Sequence, residues 1–443
     1  LPYACRMGTS RQFDLIVIGN GSAGDNIART LGRRGKNVAV IEQKHLGGEC
    51  LNDGCVPSKA LIHLAREAKQ KSWPEVTAAI RATQALVRGD DPNGGFEKDG
   101  VTLFWGEAVF QGPREVQVGD ETLTARDVVV ATGTGPGLPP ISGLAEARPL
   151  TNREIFSIPA LPERLAVIGG GPIGLELGQA LNRLGAKVTL FEALPRIGAL
   201  EEPEVSAEIE RLLREEGVRI ETSAKVNAVS RAATGGVELE TEAGTTAFDE
   251  VLVAAGREPQ VPRGLAELGL NLDRRGFIEI SPCGRTNLPG VWAAGDVTGK
   301  FQFTHYASYQ AHHIARHIQD DDCQAIPDAI VPWAIFTDPE IGHAGMTEEQ
   351  ARRGGHNVKV GFLEAGELDW FRTTAATAGF AKVIADADSG ALLGAHFICD
   401  RASTLVGEAC LAIQHGLTAR QVASTIHPYP TASELFRWAC QKA

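Results

Sequence analysis

The chain has no surplus of positive charge. Lysine and arginine number 43 against 55 aspartate and glutamate, for a net charge of −12. No basic patch stands out, which excludes nucleic acid and anionic membrane surfaces as expected partners. No apolar run approaches the roughly 18 residues of a membrane span. The stretch from Leu1 to Arg11 lacks the apolar core of a signal peptide, and Met7 is expected to be a natural start, with Leu1 to Arg6 an extension. The eight cysteines are scattered and do not make a disulfide scaffold, so a reducing cytoplasm is the expected location.

What is present is an ordinary globular composition, 43% apolar over 443 residues, which at roughly 150 residues per domain suggests about three domains. The fifty glycines cluster in short turns between apolar runs, where backbone must approach something closely. The densest such stretch is Gly47-Gly48-Glu49-Cys50-Leu51-Asn52-Asp53-Gly54-Cys55-Val56-Pro57-Ser58-Lys59. Pro57 can sit in the first turn of a helix, and Val56 to Gln70 reads as that helix. Cys55 then lies at a helix N-terminus, where the macrodipole and free N–H groups favour a thiolate. Cys50 sits one short loop away, within reach as an exchange partner. A zinc half-site or two unrelated thiols remain open on spacing alone, although the other six cysteines supply no second ligand pair.

The surroundings sharpen this reading. Phe13 to Ile18 is a strand, Gly19-Asn20-Gly21-Ser22-Ala23-Gly24 is a turn, a helix follows to Arg34, and Asn37 to Ile41 is a second strand closed by Glu42. This is a βαβ unit with a G-x-G-x-x-G turn and an acid 23 residues after its first glycine. Gly19 permits the turn, Gly21 lets backbone approach a pyrophosphate, Gly24 lets helix and strand pack, and Glu42 accepts from a ribose hydroxyl. The unit recurs. Arg164 to Ile168 leads into Gly169-Gly170-Gly171-Pro172-Ile173-Gly174, a helix to Leu184, and Lys187 to Phe191 closed by Glu192, again 23 residues on. Two dinucleotide-binding domains follow. A carboxylate at Glu192 binds a free 2′-hydroxyl and repels a 2′-phosphate, so the second site is expected to prefer NAD over NADP. Arg196 is expected at the surface or on the pyrophosphate side.

Three strands end in glycine turns: Asp127 to Val130 before Ala131-Thr132-Gly133, Val251 to Ala254 before Ala255-Gly256-Arg257, and Val291 to Ala294 before Gly295-Asp296. Thr304 is expected to cap a helix from His305 to Ile318. Beyond Pro327, strand-like runs at 331–336, 358–362, 380–385 and 392–398 alternate with helical 347–353, 404–415 and 431–439. This reads as an α+β domain with an antiparallel sheet covered by helices.

Taken together, these residues resemble the flavin-dependent pyridine nucleotide–disulfide oxidoreductases, the group of dihydrolipoamide dehydrogenase, glutathione reductase and mercuric reductase. The resemblance covers the chain after Arg11, and the stretch from Gly47 to Lys59 is its most specific part. It implies an α/β protein with two Rossmann-like domains, for FAD (1–148 and 270–326) and for NAD (149–269), and a C-terminal α+β dimerisation domain (327–443). It assigns FAD contacts to Gly19, Gly21, Ser22, Ala23, Gly24, Glu42, Gly48, Lys59, Ala108, Thr132, Gly133, Gly295, Asp296, Thr304 and His305. It assigns the nicotinamide nucleotide to Gly169, Gly171, Pro172, Ile173, Gly174, Glu192 and Gly256. Lys59 and Glu176 would pair beside the flavin. Cys55 would lie nearest the flavin, as a charge-transfer thiolate, and Cys50 would exchange with substrate. The protein would be a homodimer whose C-terminal segments complete each other's sites.

One departure is informative. The group carries His-Pro-Thr-x-x-Glu, with the histidine five residues before the glutamate. Here the segment is His427-Pro428-Tyr429-Pro430-Thr431-Ala432-Ser433-Glu434, and Tyr429 stands where the histidine belongs. A histidine shuttles protons near neutral pH, and an unperturbed phenol at about 10 does so poorly. Either His427 swings in, or Tyr429 occupies the histidine's place and the substrate needs less proton management; the Pro-Thr-x-x-Glu register favours the second. The expected substrate is a dihydrolipoyl group, free or on a carrier protein. A mercuric reductase-like reducer of soft metal ions is the alternative, and a flavin-dependent redox sensor or binding module is the alternative of another class. Glutathione reductase is disfavoured by Glu192. Cys5, Cys283, Cys323, Cys399, Cys410 and Cys440 are expected to be buried or bystander thiols, and no resident metal is expected.

Overall fold

The computed structural model describes residues 10–67, 72–233 and 235–443. Cys5, Met7 and the end of the helix expected to reach Gln70 lie outside them. Two compact units emerge: 1–57 with 79–137 and 257–327, and 58–78 with 138–256 and 328–443. The first unit resumes at Arg257, earlier than the expected 270, because Arg257–Pro259 pairs with Thr134–Pro136 and the Phe110 N–H donates to the Arg263 carbonyl. The antiparallel C-terminal sheet shares its unit with the second glycine-turn domain.

The first unit is built on a seven-stranded sheet. Strands Val101–Trp105, Val38–Glu42, Ser10–Ile18 and Glu121–Val130 run side by side and parallel. Val291–Ala293 joins the end of Glu121–Val130 in parallel. Its other half carries an antiparallel arm of Glu115–Val118 and Ala108–Gly112. Apolar residues of the first strand alternate between two cores. Phe13, Ile16 and Ile18 face one, and Leu15 and Val17 face the other, with Ile27 and Leu31 of helix Ser22–Gly32 and Ala311 and Ile314 of helix Thr304–Asp320. Burial on both faces is why these strands read as continuous apolar runs.

The second unit repeats the scheme with four parallel strands, Arg219–Glu221, Lys187–Phe191, Arg164–Ile168 and Glu250–Val253. Its C-terminal sheet has five antiparallel strands in the order Trp333–Ile335, Glu340–Gly345, Leu392–Cys399, Phe380–Asp386, Val358–Glu364. The helices Ala402–Gln414 and Glu434–Lys442 contribute Leu405, Ala409, Leu435 and Phe436 to the core beneath it. Helix Glu348–Arg353 opens with a capping box between Thr347 and Gln350. Among the described residues no helix is long and apolar enough to cross a membrane.

Candidate active site

The two glycine turns repeat one geometry. Gly19 has φ +93 and Gly169 has φ +113, and an added Cβ would strike the backbone of Ala131 or Ala254. A Cβ on Gly24 would collide with the Gly19 carbonyl, and one on Gly174 with that of Gly169. At Gly21 and Gly171, by contrast, an added Cβ meets nothing within 4 Å. Each of these glycines caps its helix, Ser22–Gly32 or Pro172–Arg183, without a side-chain hydrogen bond to the helix N–H groups. An open cradle at a helix N-terminus suits a pyrophosphate.

The two acids are held alike. Glu42 accepts from the Asn20 N–H (3.0 Å) and the Lys44 N–H (2.8 Å). Glu192 accepts from the Gly170 N–H (2.7 Å) and the Leu194 N–H (2.8 Å). Backbone thus fixes each carboxylate beside its turn, and both sites fit a dinucleotide. Arg196 is half-buried. Its guanidinium donates to the Glu201 and Ala199 carbonyls and to Ser206 Oγ, so it pins the loop before helix Pro203–Glu215.

The cysteine stretch is more helical than its sequence suggests. Cys50 lies on a helical turn, Gly48–Asn52, one short loop before Cys55, which opens helix Cys55–Glu67. The turn is fixed from several sides. Gly48 packs against Gly21, where a Cβ would lie 2.6 Å from its Cα. Gln84 Nε2 donates to the Leu51 and Asn52 carbonyls. Arg257 pairs with Glu49 and donates to Thr134 Oγ1. Cys50 and Cys55 are reduced thiols in mutual contact. The hydrogen bond to Cys55, burial and the charge on Cys55 raise the Cys50 thiol, and Thr304 lowers it in part. Thr304 does not cap its helix. Phe303 takes that position, and Thr304 is the first helical residue, with Oγ1 3.3 Å from Cys55 Sγ.

Lys59 follows Cys55 by one helical turn. Its Nζ lies 2.8 Å from Glu176 Oε2 and 4.3 Å from the Phe336 ring centroid. The other Glu176 oxygen accepts from the Phe336 N–H. On the first unit, Asp296 accepts from Thr134 Oγ1 at 3.3 Å; burial raises its carboxyl, opposed by Arg257 and Thr134. Gly295 N–H donates to Gln310 Oε1, and Gln310 Nε2 is buried without a protein partner, a donor suited to a bound polar group. Thr132 and Gly133 are strapped to Gln260. His305 stacks on Phe303. Ala108 lies in the apolar core. Gly256 has φ +147 with open space around it.

The C-terminal segment departs from a His–Glu pair. Tyr429 is 70% exposed and its hydroxyl donates to Asp369 Oδ2 at 2.7 Å. That bond, and the charge behind it, raises the phenol's pKa. Glu434 instead accepts from the Thr431 N–H. Both ring nitrogens of His427 are engaged, with Thr425 O at 3.0 Å and Glu408 Oε1 at 2.8 Å. Cys283 and Cys323, expected as bystander thiols, form a disulfide. Cys399 and Cys440 are buried, which raises both thiols, as expected of bystanders.

Residues 13–311 match the family described as pyridine nucleotide-disulphide oxidoreductase, and 331–440 match its dimerisation domain. A dihydrolipoyl dehydrogenase of Thermus scotoductus is 35% identical over 96% of both chains. A mercuric reductase of Lysinibacillus sphaericus is 33% identical over 95% of this chain and 81% of its own. The HOCl-induced flavoprotein disulfide reductase RclA of Escherichia coli, solved as a Cu(II) complex, superposes with a TM-score of 0.89. It is 28% identical over 95% of this chain and 98% of its own.

Proposed function

The chain belongs to the pyridine nucleotide–disulphide oxidoreductases, FAD-binding enzymes that use NAD(P), and from that premise we propose that it passes electrons between NAD and a dihydrolipoyl group, free or carrier-bound, through Cys50 and Cys55. The observation that carries this reading is the contacting Cys50–Cys55 pair at a helix start, with the Thr304 hydroxyl against Cys55. In the oxidising direction, a substrate thiolate attacks Cys50 of the Cys50–Cys55 disulfide and Cys55 leaves as thiolate. The second substrate thiol then displaces Cys50, so that one lipoyl disulfide forms and one protein disulfide is reduced. Cys55 is the better leaving group because it opens helix Cys55–Glu67, where the helix N-terminus favours a thiolate. FAD, when bound, supplies the chemistry that moves the pair's two electrons on to NAD. Gly19, Gly21, Gly24 and Glu42 would hold its pyrophosphate and ribose, with Asp296 and Gly295 on the polyol side. The Lys59–Glu176 pair would fix a cation one turn along from Cys55. Turnover of dihydrolipoamide with NAD by the purified flavoprotein tests the reading; its absence with free and carrier-bound substrate overturns it.

Glu192 makes the choice of nucleotide. Its carboxylate is locked by two N–H groups and would repel a 2′-phosphate, and the Arg196 guanidinium is occupied elsewhere. Glu192→Ala removes a charged hydrogen bond to the ribose, about 10–100-fold in kcat/KM for NADH. NADPH should lose nothing or gain. Equal losses for both nucleotides would count against this role.

One set of observations favours a second reading. Tyr429 is a phenol kept protonated by Asp369, and His427 is tied to Glu408. A soft metal ion held by the two thiolates requires no proton carrier at that position, so NADH-driven reduction of Hg(II) or Cu(II) is the alternative activity.

A further inference from the structure

The C-terminal sheet carries a polar row across four strands. Trp333, His343, His396 and Lys382 are successive cross-strand partners and face Glu201 and Glu202, just ahead of helix Pro203–Glu215. His343 and His396 are 1% and 0% exposed, and Glu201 is 3% exposed. One ligating atom from each of Glu201, His343 and His396 lies within 4.8 Å of the others. We propose that these three residues form a structural site for a divalent cation of the zinc type, remote in function from the redox cysteines.

The hydrogen bonds around the triad are those a metal site requires. His343 Nε2 donates to the Gly345 carbonyl at 3.1 Å, which turns Nδ1 toward Glu201 Oε2, also 3.1 Å away. His396 Nε2 donates to the Met346 carbonyl at 2.9 Å. Glu201 Oε1 accepts from Trp333 Nε1 at 2.7 Å, and the Trp333 ring stacks on His343 at 3.5 Å. Each ligand is thus oriented through its far atom by a backbone carbonyl or an indole N–H, the usual support of a coordinating imidazole or carboxylate. Tetrahedral zinc with bonds near 2.0 Å sets its ligands about 3.3 Å apart, close to the His343–Glu201 separation.

A plain Glu201–His343 ion pair explains less. It leaves His396 Nδ1 buried with no partner in the protein, an expensive condition for a ring nitrogen. It also leaves an excess of negative charge. Glu202, Glu204 and Glu348 surround Lys382 at 2.8–2.9 Å, and Arg352 adds one cation on Glu348. With Glu201 this makes four carboxylates against three cations when His343 is protonated, and a divalent ion in place of that proton balances the fourth. Two imidazoles and one carboxylate suit a borderline ion rather than magnesium or calcium. Bound there, it would clamp the Glu201–Glu202 segment to the sheet and contribute to folding rather than to catalysis.

The test uses holoprotein made in zinc-supplemented medium, oxidised so that Cys50 and Cys55 are unavailable as ligands, and passed through chelator-treated buffer. Elemental analysis is expected to give about one zinc per chain, and X-ray absorption at the zinc edge nitrogen and oxygen ligands without sulfur. Glu201→Gln and His396→Ala should each weaken zinc retention at least about tenfold, and Glu204→Gln should not. A wild-type protein with negligible zinc, sulfur in the zinc shell, or equal retention by the two ligand variants would overturn the site. The wild-type measurements decide even if a variant fails to fold, and none of them depends on the redox reading.

Discussion

Cys55→Ser is expected to lose dithiol turnover by about 10³-fold or more while keeping bound flavin and fold. Serine is nearly isosteric, and the helix Cys55–Glu67 that presents it is anchored elsewhere: Leu61 and Leu64 are buried and Lys59 is held by Glu176. What vanishes is the leaving group. A hydroxyl cannot form the disulfide with Cys50, so no two-electron store exists between substrate and nucleotide. Cys50→Ser should fail as completely with dithiols. Both variants should still pass electrons from NADH to one-electron acceptors such as ferricyanide, which need no dithiol. Loss of that diaphorase activity together with flavin would show that the substitution had damaged the fold. Retained dithiol turnover in either variant would remove the cysteines from the reaction.

Tyr429→His is expected to raise dihydrolipoamide oxidation by NAD at least about tenfold, a fraction of what a positioned acid–base group supplies. The wild-type phenol cannot serve as a base near neutral pH. Its hydrogen bond to Asp369 favours the protonated form, so the neutral phenol persists to higher pH than that of a free tyrosine and is lost only as pH rises through that raised value. The wild-type profile should therefore show no inflection from this position between pH 5 and 8. The histidine variant should acquire one near 6.5. An unchanged or lower rate in Tyr429→His would shift attention to His427, whose release from Glu408 could be probed with Glu408→Gln.

The glycine turns were legible because sterics leave little choice. Gly24 and Gly174 face a carbonyl that no Cβ can approach, and the acids 23 residues after each first glycine close the same backbone loop. The C-terminal strands were legible from their apolar runs. Helix Trp73–Arg88 carries a fainter signal, Trp73, Val76, Thr77 and Ile80 at helical spacing behind a Ser72–Glu75 capping pattern. The three-stranded meander 226–248 is hard to read because only its middle strand, Val237–Thr241, alternates apolar and polar residues, while Val226–Arg231 and Gly244–Phe248 do not. Contacts between distant residues carried no local signal at all. Cys283 and Cys323 lie 40 residues apart, Tyr429 and Asp369 lie 60 apart, and Arg257 reaches Glu49 across 208. Thr304 illustrates a finer limit. A threonine before a helix reads as a cap, but here Phe303 occupies that place and the hydroxyl is left to meet Cys55.

The most direct measurement follows the electrons into the cysteines. Oxidised flavoprotein is mixed anaerobically with one equivalent of NADH, quenched with a maleimide, and mapped by peptide mass spectrometry without reductant. The expected result is new alkylation at Cys50 and Cys55, absent before NADH, with Cys283 and Cys323 still bonded to each other. No new thiols, or new thiols at Cys283 and Cys323 in place of Cys50 and Cys55, would contradict the account.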